Sequence, residues 1–214
     1  MKVTAEFVTS AVGTADFPRD QVPEVAFVGR SNVGKSSLLN ALVRQPIART
    51  SAAPGKTRMA NIYRAVRGST PPVYLVDLPG YGYARGGREA AAAFDALTRD
   101  YFGRGESAAI LLVDSRHPGL RSDRIAWQWI QAAAAGAALV ATKTDKLARG
   151  ERIRAMRTLE SVFEGPVLPV SAVTGEGLDQ LWNLIHNLAN NCRPRPRSRS
   201  LPPPKAMAPL PRRS

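Results

Sequence analysis

Short apolar runs alternate along this chain with longer stretches whose apolar residues recur at helical spacing. Runs of roughly four to eight apolar or β-branched residues between turn signals read as strands, and the 3.6-residue pattern reads as amphipathic helix. Strands are expected at residues 25–28, 59–66, 73–77, 108–114, 137–141 and 167–170. Helices are expected at residues 35–44, 89–102, 122–134, 151–163 and 178–188. Strands separated by helices imply a parallel sheet covered on both faces. The pair 59–66 and 73–77 is joined only by Arg67-Gly68-Ser69-Thr70-Pro71-Pro72. That is too short for a parallel crossover and suits an antiparallel hairpin. The fold class is therefore α/β: a mainly parallel six-stranded sheet with one antiparallel strand and helices on both faces. Ligands of such sheets bind beyond the carboxyl ends of the strands.

The first of those ends carries Gly29-Arg30-Ser31-Asn32-Val33-Gly34-Lys35-Ser36, followed by Ser37. This is a complete G-x-x-x-x-G-K-[ST] loop between an expected strand and an expected helix, the context the motif requires. Its glycines let backbone N–H groups turn toward phosphate oxygens, and the helix N-terminus adds a favourable dipole. Lys35 is placed for the β- and γ-phosphates and the Ser36 hydroxyl for Mg²⁺. After the strand at 73–77 comes Asp77-Leu78-Pro79-Gly80. There Asp77 suits the Mg²⁺ shell and the Gly80 N–H suits the γ-phosphate. After the strand at 137–141 comes Thr142-Lys143-Thr144-Asp145, and the strand at 167–170 ends in Val170-Ser171-Ala172. Asp145 can accept two N–H bonds from guanine, the Lys143 stem can cover the base, and a backbone N–H at Ser171-Ala172 can meet guanine O6. Adenine offers the opposite pattern, and sites built on such bonds discriminate by about 10⁴ or more. The nucleotide expected is GTP or GDP.

Composition adds boundaries and a charge. The net charge is +13, from 30 lysines and arginines against 17 acidic residues. Residues 193–214 are rich in arginine and proline and carry seven basic and no acidic side chains, leaving +6 for residues 1–192. Such a tail cannot pack a core and is expected to be disordered. It reads either as a polyanion-seeking arm, for RNA above all, or as a solvated tail without consequence. Residues 1–22 are expected to be a lead-in packed on the nucleotide-binding domain, which spans 23–192. The single cysteine, Cys192, excludes an internal disulfide framework. No secretory signal is recognised at the start and no run reaches membrane-spanning length, so a cytoplasmic protein without stable membrane association is expected.

These motifs, with Thr57, resemble the five guanine-nucleotide motifs of the translation-factor-related GTPases. Two further strings, Pro54-Gly55-Lys56-Thr57 with Asn61-Ile62-Tyr63, and Asp77-Leu78-Pro79-Gly80-Tyr81-Gly82-Tyr83-Ala84, are similar to one family in particular. That family is the EngB (YihA/YsxC-type) bacterial GTPases of the TrmE-Era-EngA-EngB-septin-like group. The likeness runs over about residues 3–190 and leaves out the tail. It implies a P-loop GTPase fold and a monomeric switch that assists assembly of the large ribosomal subunit and is needed for normal division and septation. The rRNA and proteins of that subunit or its precursor are the implied partners. By the same resemblance, Gly55, Lys56 and Thr57 belong to a first mobile segment, about 46–57, in which the Thr57 hydroxyl completes Mg²⁺ coordination. A second mobile segment, about 80–88, follows, and the γ-phosphate would order both.

Where Ras-like enzymes carry a water-orienting glutamine, this chain has Tyr81, so slow intrinsic hydrolysis is expected. Catalytic help then falls to Lys35, Thr57, Gly80 and Asn32. Asn32 resembles the asparagine that lets some related GTPases bind K⁺ beside the phosphates, and bracing of the loop is the other reading. Trp127 and Trp129 lie two apart on a helix, so one is expected in the core and the other at an edge. Trp182 lies on the apolar stripe of the last helix, and His117 reads as a turn residue. Two other functions stay open: an ATP-using P-loop enzyme, and a non-hydrolysing module with GTP as a structural ligand.

Overall fold

The computed structural model describes residues 1–48, 59–81, 87–105 and 107–192. Strands β1 (Val3–Ala11), β2 (Glu24–Gly29), β3 (Ala60–Arg67), β4 (Val73–Asp77), β5 (Ser107–Asp114), β6 (Gly136–Thr142) and β7 (Val167–Pro169) form one sheet. Their order is β1-β3-β4-β2-β5-β6-β7. The chain alternates these with α1 (Lys35–Val43), α2 (Gly87–Gly103), α3 (Arg121–Ala133), α4 (Arg149–Phe163) and α5 (Leu178–Asn191). β3 is antiparallel to both of its neighbours, β1 and β4, while the pairs β2–β4, β2–β5, β5–β6 and β6–β7 are parallel. One strand alone therefore runs against the rest, as the hairpin implies.

The sheet has seven strands rather than six. The added strand is β1, which the lead-in supplies at the sheet edge by pairing Val3 with Arg67 through Ala11 with Ala60. An edge strand is half wet, so Thr4, Glu6 and Phe7 stay exposed and the apolar pattern is diluted. β7 ends at Pro169, one residue early, although the Val170 N–H still reaches the Ala141 carbonyl at 2.8 Å.

Period-two alternation along β2 divides the core between the two faces. Val25 and Phe27 pack with Leu38, Leu39 and Leu42 of α1 and with Leu181, Trp182 and Ile185 of α5. Ala26 and Val28 pack with Tyr101 and Phe102 of α2, Ala126 and Ile130 of α3, and Leu159 and Phe163 of α4. Trp127 and Trp129 are both only half-buried. They flank the stripe made by Asp123, Ala126 and Ile130, and lie edge-on to Phe163 and Phe102 respectively. Two residues spaced by about 200° around a helix cannot both sit at its buried centre. Trp182 is buried and donates to the Leu42 carbonyl at 3.0 Å.

The end of the sheet away from the phosphate loop is closed by ion pairing. Glu24 opens β2 in contact with the Arg104 guanidinium, which stacks over the Phe17 ring at 4.7 Å. Burial pushes the Glu24 carboxyl up, and Arg104 opposes that shift. Among the described residues no helix is long and apolar enough to cross a membrane.

Candidate functional site

The carboxyl ends of β2, β4, β6 and β7 bring the four motifs to one rim. β2 is buried throughout and ends at Gly29, where a Cβ would stand 2.8 Å from Val33 Cγ1. The loop then turns through two left-handed residues, Asn32 at φ 64° and Gly34 at φ 100°, into α1. Among the described residues no side chain caps the first turn of α1, where Lys35, Ser36 and Ser37 begin the helix. A helix N-terminus opening from a glycine loop without a side-chain cap offers its N–H groups to an anion.

β4 runs beside β2 with Asp77 in register with Phe27, which sets the Asp77 carboxylate against the Lys35 ammonium. The segment after Asp77 stays on the loop: Leu78 N–H reaches the Phe27 carbonyl at 3.3 Å and Tyr81 N–H reaches Gly29 at 3.1 Å. Ser31 N–H in turn donates to the Tyr81 carbonyl at 3.1 Å. Leu78, Pro79 and Tyr81 are buried. A Cβ on Gly80 would meet Ser31 N at 2.9 Å, so this approach requires glycine. The Tyr81 hydroxyl donates to Asp123 in the first turn of α3 at 3.0 Å, with Arg30 Nε at 3.8 Å from the same carboxylate.

The base-facing half is equally tied. Thr142 is buried, and its hydroxyl lies 2.7 Å from the Val33 carbonyl and 3.1 Å from that of Val113. This threonine therefore fastens the phosphate loop to β5 and β6. Lys143 is left-handed, at φ 59°, and its ammonium donates to the Asn32 carbonyl at 2.6 Å. The Thr144 hydroxyl donates to the Val170 carbonyl at 3.0 Å, joining the β6 and β7 loops. Ser171 Oγ accepts from the Val173 and Thr174 N–H groups and donates to Asp145 Oδ1 at 2.7 Å. That bond, against a small burial effect, holds the Asp145 carboxyl below its ordinary range. Asp145 is then an ionised, acceptor-only group. Ser171 N–H is committed to the Glu176 carbonyl at 3.0 Å, which leaves the Ala172 N–H as the donor available to a ligand.

The residues that sequence reasoning missed are Asp114 and Arg116. Asp114 ends β5, is buried, and accepts from Lys143 at 2.9 Å. It also accepts from Arg116 Nε at 2.9 Å and Nη2 at 2.7 Å. Burial opposes ionisation of Asp114, but the bonds from Arg116 and Lys143 outweigh it and hold the carboxyl far below its usual range. An Asp-x-Arg string at the carboxyl end of a fully apolar strand was the available signal.

Gly55, Lys56 and Thr57 lie outside the described residues, as do most of the segment 46–57, residues 82–86 of the second expected mobile segment, and the tail 193–214. The donors present fit a magnesium nucleotide. Ser36 and Asp77 offer oxygen ligands near the loop, and Mg²⁺ takes few protein ligands besides phosphate oxygens and water. Among the described residues no three His, Cys, Asp or Glu side chains cluster as a metal site on their own.

A family model described as 50S ribosome-binding GTPase matches residues 24–143. A "Probable GTP-binding protein EngB" of Pelotomaculum thermopropionicum is 42% identical over 193 residues, covering 86% of this chain and 96% of that protein. One of the same name from Anaeromyxobacter is 42% identical over 200 residues, covering 88% and 93%. The chain belongs to the EngB family of GTP-binding proteins. Family membership makes it a P-loop GTPase, from a family that binds GTP and GDP and hydrolyses GTP. Among solved structures, an EngB protein superposes with a TM-score of 0.61 at 22% identity, covering 78% of this chain and 98% of that one. Era of Aquifex aeolicus bound to GDP and AlF₄⁻ gives 0.65 at 22% identity, over 78% and 57% of the two chains. At that identity both likenesses speak to the fold.

Proposed function

We propose that this EngB-family protein is a slow, Mg²⁺-dependent guanine-nucleotide switch that acts, as a cytoplasmic monomer, in assembly of the large ribosomal subunit. The observation that carries this reading is the rim itself. Residues 29–36, Asp77 with Gly80, Lys143 with Asp145, and Ser171 with Ala172 converge there, and the Lys143–Asn32 and Thr142–Val33 bonds join the phosphate and base halves. The family model's own description, a 50S ribosome-binding GTPase, and the excess of positive charge support the partner. Normal cell division and septation would depend on that assembly role.

In this reading Asp145 accepts from guanine, the Lys143 stem covers the base, and the Ala172 N–H meets O6. The loop N–H groups and Lys35 hold the phosphates, and the Gly80 N–H faces the γ-phosphate. Ser36, Thr57 and water-bridged Asp77 hold Mg²⁺, which neutralises phosphate charge when bound. Lys35 and Asp77 satisfy each other in this structure and exchange partners when the nucleotide enters. Gly55 and Lys56 belong to the segment around Thr57 that reads the γ-phosphate. Hydrolysis is slow because Tyr81, buried against Asp123, offers nothing that orients water. A K⁺ ion at Asn32 is proposed to supply the missing positive charge. The tail at 193–214 is proposed as an arm for RNA.

The test is co-sedimentation with large-subunit particles in GDP and in a non-hydrolysable GTP analogue. The switch predicts retention with the analogue and release with GDP, and binding indifferent to nucleotide rejects it. Repeating the assay without residues 193–214 tests the arm.

A further inference from the structure

An open groove of about 440 Å³ lies between α4 and the edge strand β7, lined by Arg149, Arg152, Ile153, Met156, Arg157 and Pro169. Its floor is apolar. Ile153 is 46% exposed, and Met156 and Pro169 are half-buried. Arg149 and Arg157 are exposed on either side of Ile153, eight residues and so about 12 Å apart along the helix. Neither makes an ion pair among the described residues, nor does Arg154 beside them. Of the acidic neighbours, Glu151 accepts from the Ala148 N–H and Glu176 is held bidentate by Arg152, while Glu160, one turn after Arg157, makes no ion pair with it among the described residues.

Unpaired guanidiniums around an apolar floor suit a ligand that is anionic and flat at once. We propose that this groove binds an unpaired segment of RNA, with Arg149 and Arg157 on phosphates and a base laid against Ile153 and Met156. The inference rests on the ribosomal reading above and names the surface that meets the RNA. Arginine both forks onto phosphate and stacks on bases, and RNA is read chiefly where it is single-stranded. The chain's charge of +13 favours a polyanion. An added peptide strand is disfavoured, because β7 is only three residues long and ends in proline. The groove is also joined to the base-reading loop, since Glu176, held by Arg152, accepts the Ser171 N–H through its carbonyl.

The experiment measures full-length protein binding to deproteinised large-subunit rRNA as a function of salt, beside co-sedimentation with intact particles. Each phosphate contact on a single strand contributes about 0.7 to the slope of log K against log salt. Replacing both arginines, R149A with R157A, should flatten the slope by about 1.4 while GDP affinity stays as in the wild type. Ile153→Ser should weaken RNA binding with the slope unchanged. An unaltered slope in the arginine variant overturns the proposal, as does weakened particle binding with unchanged binding to bare rRNA, which would mark a protein partner. Failure of the wild type to bind particles in either nucleotide state would instead remove the ribosomal reading on which the groove rests.

Discussion

The hydroxyl of Tyr81, the residue directly after the Asp-x-x-Gly motif, donates to the buried carboxylate of Asp123 at 3.0 Å. It therefore braces α3 against the phosphate loop and is committed to that carboxylate. Tyr81→Phe leaves that carboxylate with Arg30 at 3.8 Å and a long hydrogen bond, 3.4 Å, from the Ser122 hydroxyl. Loss of a bond to a buried charged acceptor costs about 1–3 kcal/mol. Urea unfolding should show that loss while the intrinsic hydrolysis rate is retained. An unchanged midpoint, or a collapse of the rate, would contradict this role.

Asp123 also carries a pH signature. Burial raises its folded-state pKa, with the Tyr81 bond and Arg30 opposing. A raised carboxyl favours the folded state at low pH. Its contribution is fully present below the ordinary aspartate value of about 4 and is lost as pH rises through the folded value. Asp123→Asn keeps an acceptor for Tyr81 and removes the titration. The variant's stability, relative to wild type, should therefore improve between pH 4 and 7. A constant difference across that range would exclude the effect.

Asp114 positions Lys143. Asp114→Asn weakens one charge-assisted bond to an ammonium that also holds the Asn32 carbonyl. Such bonds are worth about 1.5–3 kcal/mol, so GDP affinity should fall about tenfold or more. In a Lys143→Ala background the same change should cost little. Additive losses in that double-mutant cycle would make Asp114 merely structural.

Asn32 separates the cation reading from loop bracing. Its side-chain amide makes no hydrogen bond among the described residues, and its backbone is left-handed at φ 64°. Asn32→Gly preserves that conformation and removes the amide. Single-turnover GTP hydrolysis should run roughly tenfold or more faster in KCl than in NaCl, and the variant should lose the difference while keeping GDP affinity. Equal rates in the two salts for the wild type would remove the K⁺ proposal.

Most of the architecture was legible because β2 and β5 are buried runs bounded by turn residues, β6 is an apolar run buried over its carboxyl half, and α5 carries a clean stripe. β1 was not, because its outer face is wet and the consecutive Phe7 and Val8 are both exposed rather than alternating with a core. The phosphate loop could be read from spacing, since its chemistry lies in backbone and glycine. The tie from Thr142 to Val33 and the Asp114–Lys143 pair could not, because they join residues 109 and 29 positions apart that only the sheet order brings together. Likewise, nothing in the string Tyr81-Gly82 says that the tyrosine ring turns inward to α3.

The central claim is that Asp145 reads guanine, and Asp145→Asn tests it most directly. An asparagine can still accept from N1–H, and from the Ser171 hydroxyl, but presents an N–H where guanine presents its own amino donor. Xanthine carries an acceptor at that position and so matches the variant. Displacement of a fluorescent GDP analogue from the wild type should require far more XDP than GDP. The variant, probed with a fluorescent XDP analogue, should prefer XDP and lose at least about 10³-fold in GDP affinity. A variant that holds GDP as tightly as the wild type, with no gain for XDP, would contradict the account.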